Sequence, residues 1–152
     1  MRARELARSY PTVTLGSPAL DAARLLAGRG LPGVLVVDAD GAPYAIVPAS
    51  RFVRLLVPSY VVEDPTLAAV VDEQHADRLC AALADRAVAD ILPRERTAAP
   101  VVAGDATVLE VAALMARERS PLVAVMAKEP DGTRLLGVIT ASHLLDRLLG
   151  VA

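Results

Sequence analysis

The feature that most limits what this chain can fold into is an internal duplication. Shifted by 89 residues, Leu20, Ala23, Leu25 and Ala27 fall on Leu109, Ala112, Leu114 and Ala116, while Pro32, Val34 and Val36 fall on Pro121, Val123 and Val125. The second hairpin, around Pro130-Asp131-Gly132, is three residues longer, so the last strand and helix align at a shift of 92. There the stretch Tyr44 to Val57 returns as the corner that ends at Leu149, with Ala49-Ser50 on Ala141-Ser142 and Leu56 on Leu148. A pattern repeated in this way requires two like halves, each one supersecondary unit that buries its apolar face on its neighbour.

Each half reads β-α-β-β-α. Thr12 to Leu15 alternates as a short strand. Ser17-Pro18 predicts a helix start, with Ser as the cap and Pro in the first turn, and the helix runs to about Gly28 with Leu20, Ala23, Leu25, Leu26 and Ala27 as its buried stripe. Val34 to Val37 is a buried strand, Asp38-Ala39-Asp40-Gly41 a turn, Tyr44 to Val47 a strand and Ser50 to Leu56 a helix. In the second half Thr107 and Glu110 have capping-box spacing, and Leu135 to Thr140 is a strand that turns at Ala141-Ser142 into a helix. A helical turn, Arg4 to Ser9, closed by Tyr10-Pro11, precedes the first unit, and Val88 to Leu92 with Pro93 mirrors it. Between the copies, Asp64-Pro65 opens a long helix with Leu67, Val71, His75, Leu79 and Leu83 in apolar register and Asp72, Glu73 and Asp77 on its solvated face. The expected organisation is α+β: a first unit over 1–57, a helical insert over 58–87 and a second unit over 88–152, forming one module.

Composition excludes several function classes. A net charge of -2 leaves no basic footprint for nucleic acid, and with no Trp, three Tyr and one Phe there are few platforms on which bases could stack. The single Cys80 rules out an intrachain disulfide or multi-thiolate metal site, and its helical setting predicts a buried structural thiol. The N-terminus lacks the apolar run of a signal peptide, and no apolar stretch approaches the roughly 18 residues of a membrane span. A soluble cytoplasmic protein without membrane insertion is expected. Asn is absent and Lys128 is the lone lysine, a bias that points to a GC-rich bacterial genome.

Catalysis has little to work with. Gly28-Arg29-Gly30-Leu31-Pro32-Gly33 has G-x-G-x-x-G spacing, but it follows a helix and opens a strand, the reverse of a dinucleotide fingerprint, so helix termination accounts for it. His75 reads as a core or interface residue, with no second ligand at metal spacing. Glu110 and Glu118 read as solvated charge. His143, three residues after Thr140, is either a first-turn surface residue or part of a site at the strand end. No triad, P-loop or carboxylate pair is present, so no catalytic residue and no metal site are assigned.

The element order, Pro32 and Pro121 before the middle strands, and the corner Gly137-Val138-Ile139-Thr140 make the chain, from Arg4 to Leu149, resemble a tandem pair of cystathionine-beta-synthase (CBS) domains, often called a Bateman module. The resemblance implies two units packed sheet to sheet about a pseudo-twofold, with clefts between them that bind adenosine-containing ligands. In that family a Thr or Ser at the end of the last strand and an Asp three residues later contact the ribose. Here Thr140 keeps the first role and His143 stands at the second. The residues that would meet the base through their backbone are Ser120, Pro121 and Leu122. In the other copy the corner reads Pro48-Ala49-Ser50-Arg51, so neither role is kept; its cleft would comprise Leu31, Pro32, Gly33 and Arg51, with Arg51 able to grip an anion.

The function implied is a non-catalytic regulatory module. It would require no cofactor, take AMP, ADP, ATP or S-adenosylmethionine as ligand, and signal to a separate effector enzyme or transporter, most simply as a homodimer. The alternative is a scaffold or interaction protein whose degenerate clefts bind nothing.

Overall fold

The computed structural model describes residues 1–57, 63–66, 80–81, 83–93 and 98–150. In the first half, α1 (Ala3–Leu6) precedes β1 (Thr12–Thr14), α2 (Ala19–Arg29), β2 (Gly33–Val37), β3 (Pro43–Pro48) and α3 (Ala49–Leu56). In the second, α4 (Val88–Ile91) precedes β4 (Val101–Ala103), α5 (Val108–Glu118), β5 (Leu122–Glu129), β6 (Gly132–Thr140) and α6 (Ala141–Leu148). The described strands form two three-stranded sheets, ordered β1-β2-β3 and β4-β5-β6, each with one parallel and one antiparallel pair. The α+β reading and the duplication hold. Most of the expected insert, including His75 and the acidic face at Asp72, Glu73 and Asp77, lies outside the described residues. Where that insert opens, the Asp64 carboxylate accepts from the Thr66 N–H at 3.2 Å.

Local chemistry explains the elements. Asp38 closes the first hairpin: its carboxylate accepts from the N–H groups of Asp40 and Ala42 at 2.9 and 3.0 Å, and Gly41 supplies a φ of 79°. The capping box at α5 forms as expected, with the Glu110 N–H on Thr107 Oγ1 at 3.2 Å and the Thr107 N–H on Glu110 Oε2 at 3.0 Å. At α2, however, Ser17 is not the cap. Pro18 holds that position, and the Ser17 hydroxyl instead accepts from the Thr14 N–H at 3.0 Å, tightening the turn after β1. The glycine-rich stretch is a helix stop: Gly30 has a left-handed φ of 59° and the Leu31 N–H returns to Leu26 at 3.0 Å. Its counterpart Arg119 adopts φ 51° without being glycine.

Of the expected stripe, Leu26 is buried, Leu20, Ala23 and Leu25 pack half-buried on the core, and Ala27 is exposed. The innermost positions include Ala19 and Ala22, which the pattern did not single out. Ala19, Ala22 and Leu26 are buried, as are Val111 and Met115 at the same 89-residue shift, whereas Leu109 is 74% exposed. In an Ala- and Leu-rich helix nearly every face carries an apolar residue, so tertiary packing decides which is used. Cys80 is likewise exposed rather than buried; Leu83, one turn later, takes the core position. The three extra residues of the second hairpin do not lengthen its loop. They go into the ladder, which pairs from Leu122↔Thr140 to Glu129↔Gly132 around the two-residue turn Pro130-Asp131. A bulge skips Leu136.

The two halves are joined by exchange. Ala3 and Leu6 of α1 lie in the core of the second half with Val111, Val123, Val125 and Ile139, while Val88 and Ile91 of α4 lie in that of the first with Ala22, Val34 and Val47. Matching backbone bonds fix both: Ala3 and Arg4 donate to Ala106 and Gly104, and Val88 and Ala89 to Ser17 and Leu15. Packing therefore crosses the boundaries expected from the sequence at 57 and 87. A third cluster, Leu35, Val37, Ala99, Leu122 and Val138 with Ile46 and Tyr10, lies between the two sheets and forms the seam.

One pair of exchange bonds has no counterpart among the described residues. Arg8 and Val138 donate to each other's carbonyls at 3.1 and 2.9 Å, which brings the Arg8 backbone so close to Gly137 that a Cβ there would stand 2.5 Å from the Arg8 oxygen. At the matching place in α4's segment stands Pro93, which has no N–H to give. Gly137→Ala is expected to lose about 1–3 kcal/mol in urea unfolding, because backbone rather than a flexible side chain must move. Gly28→Ala, on the open face of α2 with nothing within 4 Å, is expected to gain about 0.5–1 kcal/mol.

Candidate functional site

The strand-to-helix corners are built alike. In each, the first N–H of the helix donates to the proline before the middle strand, Ala141 to Pro121 and Ala49 to Pro32, both at 3.0 Å. The Thr140 side chain caps α6, accepting from the His143 N–H at 3.3 Å, and lies 3.3 Å from the Ser142 hydroxyl. Pro48 offers α3 no such cap.

A cavity of about 220 Å³ opens at the Thr140 corner, lined by Arg8, Ser9, Tyr10, Val138, Thr140, Ser142, His143 and Asp146. Thr140 and His143 are thus brought together, and His143 is 9% exposed, so it is no first-turn surface residue. Ser120 and Pro121 do not join them. They line a second cavity, of about 260 Å³, with Ile46, Pro48, Pro100, Glu118 and Arg119. Leu122 is buried in the seam, its backbone held by the Ser120 hydroxyl, which donates to its carbonyl at 2.7 Å and accepts from its N–H at 3.3 Å.

The other copy is engaged internally. The Arg51 Nε donates to the Ile91 carbonyl at 3.1 Å, anchoring the exchanged helix α4. The Gly33 carbonyl accepts the Tyr10 hydroxyl at 2.5 Å, and burial pushes that phenol's pKa up. Gly33 is also packed closely, since a Cβ would meet the Val47 carbonyl at 3.0 Å. Leu31 is half-buried and packs on the first core; Pro32 is exposed apart from its carbonyl bond.

Sequence reasoning missed Arg8, Ser9, Tyr10 and Asp146. Asp146 was findable, since it lies three residues beyond His143 on the same helical face. Arg8 to Tyr10 carried no local signal, because only the exchange brings them to the second half. Together the cavity offers a cation, a carboxylate, three aliphatic hydroxyls and an imidazole, a set suited to a polar anion with several hydroxyl groups.

Burial, then the positive charges of Arg8 and Arg147, push the His143 pKa below its usual 6.5, with Asp146 opposing them. The folded state therefore favours neutral imidazole. The contribution is unchanged above 6.5, and stability falls as pH drops from there through the lowered folded value, because the unfolded chain takes up the proton first. His143→Gln is expected to flatten that part of the stability–pH curve, and Arg8→Gln to raise the imidazole's midpoint in an NMR titration.

The fold and its duplicated corners define a CBS-pair protein. The chain belongs to the CBS-domain family, whose model, CBS domain, matches residues 3–58 and 88–150. A CBS domain-containing protein of unknown function from Kribbella flavida is 48% identical, with 98% of this chain and 99% of that chain covered and a TM-score of 0.82. CBSX2 from Arabidopsis thaliana is 17% identical over 99% of this chain and 95% of its own, with a TM-score of 0.71. A structure of CBSX2 in complex with AMP is similar at 16% identity, 99% and 97% coverage and a TM-score of 0.65. No curated protein sequence matches the chain. Among the described residues no helix is long and apolar enough to cross a membrane, and no group of three or more His, Cys, Asp and Glu side chains could hold a metal ion.

Proposed function

We propose that this chain is a non-catalytic regulatory module of the bacterial cytoplasm that binds an adenosine-containing ligand at the Thr140 corner and signals its presence to a separate partner protein. The observation that carries this reading is the cavity uniting Thr140, Ser142 and His143 with Arg8. A sugar hydroxyl would meet Thr140 and the imidazole, and a phosphate would meet the Arg8 guanidinium near the N-terminus of α6. The AMP bound by CBSX2, a protein of the same fold, supports the ligand class. AMP, ADP, ATP and S-adenosylmethionine are the candidates, as ligands rather than as required cofactors.

Thermal unfolding against these compounds and plain phosphate tests it. At about a hundred times the dissociation constant a ligand stabilises by about 2.7 kcal/mol, and each kcal/mol moves the midpoint about 2–4 °C in a chain of this size. One adenosine compound is expected to give the shift and phosphate alone none. Thr140→Val is expected to abolish the shift while lowering the unliganded stability by about 0.5–2 kcal/mol through loss of the cap.

A second reading, a scaffold with closed clefts, has its own support: the Tyr10 bond to Gly33 and the Arg51 bond to Ile91 engage groups that the family resemblance assigns to a ligand. It predicts no shift with any of the compounds.

The same proposal includes pairing of two modules through the outer helices. Val53 and Leu145, equivalent at the 92-residue shift, are 61% and 54% exposed, and Leu148, one turn after Leu145, is 45% exposed. Light scattering is expected to give twice the chain mass, and the double variant Val53→Glu, Leu145→Glu the mass of one chain.

A further inference from the structure

We propose that the overhanging edge of β5 at Lys128 is a strand-addition site for an extended, acidic segment of a partner protein. The site follows from the lengthened hairpin that the regulatory reading leaves unused. In the first half β2 ends where β1 ends, at the pair Thr14↔Val37. In the second half β4 stops at Ala103↔Met126, while β5 runs on to Glu129.

Backbone direction decides what that overhang presents. Ala124 donates to Pro100 and Gly104 donates to Met126, so the even-numbered residues of β5 face the β4 side. The bulge residue belongs to β6, so β5 keeps this alternation, and the N–H and C=O of Lys128 point to the same edge. A continued β4 would offer Lys128 the Gly104 carbonyl. That carbonyl is instead taken by Arg4, whose N–H and Nε donate to it at 2.9 and 3.1 Å. The chain then turns away into α5.

A cavity of about 510 Å³ lies where the missing strand would run, with Met126 and Leu136 among its apolar lining and Arg4, Lys128 and Asp105 as its charges. An incoming strand gains ladder bonds from Lys128 and an apolar contact for one side chain. Two cations against one carboxylate favour an acidic segment. Nearby Glu129 does not alter this, since it pairs with Arg134. A second copy of the chain is disfavoured, because antiparallel pairing of two such edges about Lys128 sets lysine against lysine.

The test uses the whole chain, isotope-labelled for NMR, and capped pentapeptides at up to about 2 mM, a range suited to weak association. The sequence Val-Glu-Val-Glu-Val is expected to move the amide signals of Gly104 and Lys128 and leave those of the Thr140 corner in place. Val-Lys-Val-Lys-Val is expected to bind at least about fivefold more weakly, and Lys128→Glu to reverse that order. N-methylation of the acidic peptide is expected to remove binding without altering the protein. Equal responses to both charges, no response to the acidic peptide, or survival of binding after N-methylation would overturn the proposal. So would movement of the same signals with protein concentration alone, which would assign the edge to a second copy.

Discussion

The exchange of α1 and α4 between the halves is the constraint on which the rest of the structure depends. Leu6 and Ile91 are 0% and 1% exposed, each in the core of the half that follows or precedes it in sequence rather than its own. Burying a side chain of this kind stabilises by about 1.5–3 kcal/mol, so neither half has a complete core without a segment from the other. The carboxylates of Glu5 and Asp90 close both four-residue helices by accepting from the N–H groups of Arg2 and Ala87 at 2.6 and 2.9 Å. Helices this short do not persist alone in water, and their order comes from the packing.

Within that shared frame the two corners have diverged in the groups that matter. Thr140 both caps its helix and lines a cavity; Pro48 can do only the second. His143 turns inward beside Arg8, whereas Arg51 reaches back to Ile91 and becomes part of the exchange. The asymmetry extends to the seam, where the paired bonds between Arg8 and Val138 need an N–H that Pro93 lacks at the equivalent position. A duplication that preserves its cores can assign binding chemistry to one corner and structural bonding to the other.

What was legible in the sequence follows the range of the interactions involved. The capping box at Thr107 and Glu110, the Asp38 turn and the Gly30 helix stop are set by neighbours a few residues apart, and the repeat is a pattern in the sequence itself, so each reads directly from the chain. The family resemblance correctly supplied the pairing of the two sheets. What could not be read is long-range: that Tyr10 donates to Gly33, that Arg8 reaches Val138, or that Ser120 shares a cavity with Pro48 rather than Thr140. The exposure of Cys80 and Leu109 belongs here too, since a helix rich in Ala and Leu does not announce which of its faces the fold will cover.

The Thr140 cavity owes its walls to the exchange. Arg8, Ser9 and Tyr10 run directly into β1 of the first half, yet Arg8 is bonded to β6 of the second and Tyr10 packs in the seam between the sheets. A molecule held in that cavity would therefore touch segments from both halves of the chain, beside one of the places where backbone bonds join them. A ligand shifts a conformational equilibrium only by its differential affinity for the two states. In this geometry the differential need not travel through the cores. Arg8 is tied to Val138 and so keeps its place near Thr140, whereas Tyr10 is bonded to Gly33 of the first half. In the proposed function a shift of the halves would change the Tyr10 side of the cavity and, with it, the affinity.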